Sequence, residues 1–202
     1  RINRLAAEIA PGQKWIKRVI AEMGGKDAIV VDETANLDAA AAGICASAFG
    51  FQGQKCSACS RAIVVESVYT AVLEKTVELA RKIQMGPVIH FENQFGPVAS
   101  RSALRTIRSY IEIGKQEGRL VLGGEEYGGD GFFVPPTIFA DVAPKARLSQ
   151  EEIFGPVLAF TPAADWQQAL ELANDTEFGL TGSFYSNDRL RIQEAKDRFF
   201  VG

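Results

Sequence analysis

Five stretches of this chain hold side chains able to do chemistry. The segment FGFQGQKCSACSR at 49–61 places Cys56 and Cys59 three positions apart, with Cys45 a little upstream. A cysteine after Gly53 and before Ser57 can hold its sulfur beside backbone N–H groups that would stabilise a developing oxyanion, as a nucleophile requires. Cys56 reads equally as a small buried hydrophobe like Cys45, and composition alone favours that plainer reading. A zinc site at 56–59 needs two further ligands that the chain does not supply. A redox pair lacks the preceding strand and the CxxC opening a helix.

Glu22, in EMGGKD, precedes two glycines and an apolar run, so its carboxylate can serve as a mobile general base or stay a solvated glutamate. In QEEIFGPV at 150–157, acidic side chains before a Gly-Pro turn can bind ribose hydroxyls, although a charged turn is the commoner explanation. In EFGLTGSFYSND at 177–188, Gly179, Gly182 and Ser183 can leave amides free for a small anion nest, or simply turn the chain into a strand. The single histidine, His90, lies in GPVIHFENQFGP without partners at metal-ligand spacing and reads as a surface loop residue.

The elements that must position these groups alternate. DAIVV at 27–31 and AIVV at 62–65 have the apolar, β-branched character of buried parallel strands, and VLAF at 157–160 and GSFY at 182–185 read as further strands. Helices are expected at 36–49 (capped by Asn36 and buried on every face), 67–84 (capped by Ser67), 100–117, 165–174 and 187–199. RLVL at 119–122 reads as a further strand, and the glycine-rich 123–133 as turns. This pattern predicts the α/β class: an open, largely parallel twisted sheet with helices on both faces. Ligands of such sheets are expected at the carboxyl ends of the strands. No GxGxxG or P-loop pattern occurs, so the chain carries no complete phosphate cradle of its own.

The 202 residues carry a net charge of −3 and no basic block, which argues against nucleic acid as a partner. No apolar run approaches a membrane span, and the cysteine usage suits a reducing compartment, so a cytoplasmic location is expected, or the mitochondrial matrix in a eukaryote. The ends of the chain read as those of a fragment of a longer protein.

Each stretch is weak alone, but their order is specific. EMGGK, GQKC, GFFVPPT, EEIFGPV and NDTEFGLTG, in that sequence, resemble the aldehyde dehydrogenase superfamily over nearly the whole chain. The wording is most similar to the branch that oxidises L-glutamate γ-semialdehyde to glutamate in proline breakdown. The resemblance implies Cys56 as nucleophile and Glu22 as general base. It implies Glu152 on the nicotinamide ribose of NAD, Phe154 beside the nicotinamide, and Ser57, Gly182 and Ser183 on the substrate's α-carboxylate. It assigns no role to Cys59 and no metal. It further implies that 1–22 end an upstream cofactor-binding domain, that 23–202 are a catalytic domain incomplete at its C-terminal end, and that the whole protein is a homo-oligomer without membrane or nucleic-acid partners. The asparagine that completes the family's oxyanion hole would lie upstream, so the 202-residue chain by itself is expected not to turn over.

Overall fold

The computed structural model describes residues 1–202. A short helix α1 (Ile2–Ala7) leads into an irregular segment whose Trp15, Ile16 and Ile20 stand in solvent. Regular structure then begins with β1 (Asp27–Val31) and continues through α2 (Leu37–Phe49), β2 (Cys59–Val65), α3 (Glu66–Arg81), α4 (Arg101–Glu117), β3 (Arg119–Leu122), β4 (Thr137–Ala140), the single turn α5 (Arg147–Gln150), β5 (Val157–Ala163), α6 (Trp166–Asn174), β6 (Gly182–Tyr185) and α7 (Arg189–Arg198). The six strands form one sheet in the order β3-β4-β5-β2-β1-β6, parallel throughout except for the β3–β4 pair.

The central strands are buried on both faces because helices cover both, which is why their sequences are continuous apolar runs rather than alternating ones. Ile29, Val31, Ala62, Val64, Leu158 and Phe160 pack beneath α2 and α3. On the other face Ala28, Val30, Ile63 and Val65 meet Trp166, Leu170 and Ala173 of α6, and Phe139, Val157 and Ala159 meet Ile107 and Ile111 of α4.

Three caps follow the expected chemistry: Asn36 Oδ1 accepts from Ala39 N–H at 3.0 Å, Ser100 Oγ from Ala103 N–H at 3.1 Å, and Asp165 Oδ1 from Gln168 N–H at 2.8 Å. Four details differ from the sequence reading. Ser67 does not cap α3, which starts at Glu66 directly from β2 without a side-chain cap. Helix α7 starts at Arg189 rather than 187, capped by Asp188, whose Oδ1 accepts from Leu190 N–H at 2.8 Å. Strands β2 and β5 run further than predicted, because their polar residues Arg61 and Thr161 are buried with backbone carbonyls as partners. Helix α2 is not buried all round: Ala39, Ala42 and Ala46 form an exposed stripe, since the helix is an outer layer and alanine exposes little apolar surface.

Candidate active site

The stretches carrying candidate chemistry converge, but at the opposite end of the sheet from the one expected. Glu22–Lys26 precedes β1, Lys55–Ser57 precedes β2, Glu151–Phe154 precedes β5 and Thr181 precedes β6. These strands are mutually parallel, so all four loops meet at their amino ends. Glycines in these loops let their main chains approach closely.

Gly25 is the clearest case. A Cβ there would lie 2.0 Å from the carbonyl oxygen of Cys56 and 2.6 Å from Asp27 Oδ2. A Cβ on Gly24 would meet the Glu152 carboxylate at 2.6 Å, and Gly25 N–H donates to Glu152 Oε1 at 3.0 Å. The Gly-Gly pair therefore seats the nucleophile loop and the acidic loop on one short piece of backbone. Gly53, with φ +65°, does the same from the other side, its missing Cβ leaving room for the carbonyl of Gly155 at 2.3 Å.

The turn before Cys56 is strained. Phe51 and Gln52 both adopt left-handed backbone, with φ 55° and 58°, immediately before Gly53. Each such non-glycine residue costs about 1–2 kcal/mol. Phe154, with φ 56°, is a third left-handed residue in the same cluster, and its ring stands 46% exposed.

Cys56 is half-buried, and the Glu22 carboxylate faces its thiol. That hydrogen bond, together with some burial and the negative charge, pushes the thiol above its ordinary range, against backbone N–H groups of Ser57 and Cys56 that favour the thiolate. A thiol facing a carboxylate is an arrangement in which the carboxylate can take the thiol's proton. Cys59 is different in kind: it opens β2, is 4% exposed, donates through its sulfur to the Arg61 carbonyl at 3.4 Å, and burial pushes it up to about 12. The cysteines are all free.

Ser57, Gly182 and Ser183 border one cleft of about 170 Å³ together with Asp27, Ser47 and Thr181. Gly182 and Ser183 belong to β6, in register with Ala28 and Ile29, so of the two sequence readings, an anion nest or a turn into a strand, the structure has the strand. Ser47, Ser57, Thr181 and Ser183 bring hydroxyl groups to the cleft beside that edge strand. His90 lies exposed in its loop, away from these stretches.

Two charged residues at the centre of the site escaped the sequence reading. Lys26 is 1% exposed, its Nζ lacks a hydrogen-bond partner, and burial, aided by the neighbouring Arg61, lowers it to about 7. Asp27 is 5% exposed; Oδ1 accepts from Thr181 N–H at 3.0 Å, Oδ2 has no partner, and burial raises its pKa. Their signal was present, because charges at the mouth of a strand covered on both faces must be buried. Arg61, 4% exposed, spends its guanidinium on the carbonyls of Lys26, Leu172 and Ala173 and so caps the C-terminus of α6.

Comparison with known proteins places this arrangement. The model of the aldehyde dehydrogenase family matches residues 2–202. The chain belongs to the aldehyde dehydrogenase family. It is 57% identical over its full length to 1-pyrroline-5-carboxylate dehydrogenase of Geobacillus sp. (strain WCH70), and 56% identical to that of Anoxybacillus flavithermus. Among solved structures, 1-pyrroline-5-carboxylate dehydrogenase from Thermus with bound NAD superposes with a TM-score of 0.91 at 52% identity, covering 100% of this chain and 39% of that one. The chain likewise spans 39% of the length of the two curated relatives. No helix of this family member is long and apolar enough to cross a membrane.

Proposed function

We propose that this chain supplies the nucleophile, the base and part of the cofactor site of an NAD-dependent dehydrogenase that oxidises L-glutamate γ-semialdehyde to glutamate in proline breakdown. The observation that carries the reading is the backbone junction at Gly24–Gly25, just after Glu22, which meets the Cys56 carbonyl and holds the Glu152 carboxylate. The names of relatives 56–57% identical to this chain support the choice of substrate.

The residues present suit the cofactor. Glu152 is anchored through Oε1 by Gly25 N–H, which fixes a carboxylate beside an exposed aromatic, Phe154. A carboxylate suits a ribose diol, and an aromatic face suits a nicotinamide ring. NAD held there would supply the hydride acceptor for oxidation of the carbon attached to the Cys56 sulfur.

The chain's own residues do the rest. Cys56 gives its proton toward Glu22 and attacks the aldehyde carbon, forming a thiohemiacetal whose oxyanion meets backbone N–H groups. After oxidation Cys56 holds a thioester. Glu22, having passed the first proton to solvent, then removes a proton from water; the hydroxide adds to the acyl carbon, the carbon–sulfur bond breaks to release the acid, and the leaving thiolate takes the proton back from Glu22. Ser57 offers a hydroxyl to the substrate's α-carboxylate, with Gly182 and Ser183 across the same cleft. Residues 1–22 fit the end of the domain that holds NAD, since their apolar side chains stand open to receive a neighbour.

The test is NADH formation by the full-length enzyme from glutamate γ-semialdehyde. Cys56→Ala is expected to abolish it. Ser57→Ala is expected to raise KM for this substrate about tenfold and to change KM for an aliphatic aldehyde of similar length by less than about twofold. Equal changes for both would point to another aldehyde, and turnover surviving in Cys56→Ala would remove the nucleophile assignment.

A further inference from the structure

The strained turn before Cys56 is held by a closed ring of contacts, and one member of that ring is polar. Gly53 packs against the Gly155 carbonyl, with 2.3 Å between that oxygen and the place of a Cβ. Gly155 in turn lies against Ile107 of α4, whose Cδ1 is 2.5 Å from the place of its own Cβ. The ring closes through Gln54, whose Oε1 accepts from Ala99 N–H at 2.8 Å, one residue before the Ser100 cap of α4. Gln52 adds a parallel tie, its amide oriented to accept from Gly96 N–H at 3.0 Å and to donate to the Phe51 carbonyl at 3.2 Å. Gln54 N–H also closes the turn onto the Phe51 carbonyl at 3.1 Å.

A left-handed run of this kind persists only where its surroundings over-determine it. The apolar contacts on its glycine side stop the turn from moving inward. They do nothing to stop it swinging outward, toward solvent, where the two residues after Gln54 would carry the thiol away from Glu22. The Gln54–Ala99 bond opposes that swing, because Ala99 is fixed by the start of a 17-residue helix.

We propose that Gln54 is a positioning residue for Cys56, holding the nucleophile turn in its left-handed form through the Ala99 amide. The proposal rests on the reading of Cys56 as nucleophile. Gln54→Met keeps the size of the side chain and removes the acceptor; Gln54→Glu keeps an acceptor. In the full-length enzyme, Gln54→Met should speed amide hydrogen exchange across 51–58 about tenfold and leave the core strands unchanged. It should also lower kcat about tenfold, with KM for NAD and for the aldehyde within about twofold. Gln54→Glu should restore both quantities to within about threefold of wild type.

Exchange across 51–58 unchanged in Gln54→Met would overturn the proposal, as would faster exchange with kcat unchanged. Should Gln54→Met not fold, Gln54→Glu decides: near wild-type exchange and kcat uphold the role of the acceptor, and losses in both remove it. The exchange measurement needs no substrate, so a failure of the substrate assignment is distinguishable from a failure of this one.

Discussion

At the carboxyl ends of the strands, Asp32 is fully buried and fully engaged: it accepts from Thr34 N–H, from Ser186 Oγ at 2.7 Å and from Arg191 Nη1 at 3.2 Å. Burial alone would raise its pKa, but those bonds outweigh it and hold the carboxyl below its ordinary range. Asp141, after β4, is engaged in the same way by Tyr69 Oη, at 3.1 Å from Oδ1, and by Arg119 Nε, at 2.8 Å from Oδ2. The amino ends present the reverse. The buried side-chain polar atoms without a partner are Lys26 Nζ, Asp27 Oδ2, Ser60 Oγ and Ser149 Oγ, all in or leading into the segments that open β1, β2 and β5. Three of the four left-handed non-glycine residues, 51, 52 and 154, cluster there too; the fourth, Asp141, lies at the carboxyl end. One end of the sheet spends its polar groups on stability, and the other keeps them unspent beside the thiol. Unsatisfied groups and backbone strain are tolerated where chemistry needs them and the satisfied end secures the fold.

This contrast can be broken most strongly at Glu22. Glu22→Gln in the full-length enzyme should lower turnover by roughly 10²–10⁴-fold through loss of the base. The same change removes the main cause of the raised Cys56 pKa, so alkylation of Cys56 by iodoacetamide at pH 8 should become faster than in wild type. Slower alkylation would mean that Glu22 does not set the thiol's protonation.

The opposite result is expected at the satisfied end. Asp32→Ala leaves the Arg191 guanidinium with Glu33 and Asp188 only and should destabilise the fold by about 3 kcal/mol in denaturant melts. Turnover per folded molecule should stay within about twofold. A large loss of kcat without loss of stability would erase the division between the two ends.

Lys26→Met gives the smallest effect and the one most specific to pH. Folding lowers this amine from its ordinary value near 10.4 to about 7, so between those values the unfolded chain holds a proton that the folded chain lacks. Its contribution to stability therefore falls as pH falls through that window and levels off below about pH 7. The methionine variant should lose that slope and be about 1–2 kcal/mol more stable than wild type at pH 7. An unchanged slope between pH 7 and 10 would mean that Lys26 is charged in the fold.

Much of the architecture was legible because buried parallel strands and capped helices write themselves locally. DAIVV is apolar because both faces of β1 are covered, and Asn36, Ser100 and Asp165 cap because their side chains reach amides three residues on. The site was legible only as separate stretches. Composition alone ranked Cys56 below a packing role, and nothing local distinguished it from Cys59; the fold separates them, since one stands in a turn facing Glu22 and the other is sealed in β2. The expectation of a site at the carboxyl ends failed because that rule describes where amides and loops usually gather, whereas here the close approaches depend on Gly24, Gly25, Gly53 and Gly155.

By itself the sequence determined the α/β class, most strand and helix positions, and the family resemblance, because these follow from periodicity, capping and the order of short motifs along the chain. Only the tertiary structure decided at which end of the sheet the candidate stretches meet, that Gly182 and Ser183 form a strand edge, and that Lys26 and Asp27 are buried beside Cys56 and Glu152. Those facts depend on contacts between residues far apart in the chain, such as Gly25 with Glu152 and Asp27 with Thr181, and no local pattern encodes such a distance.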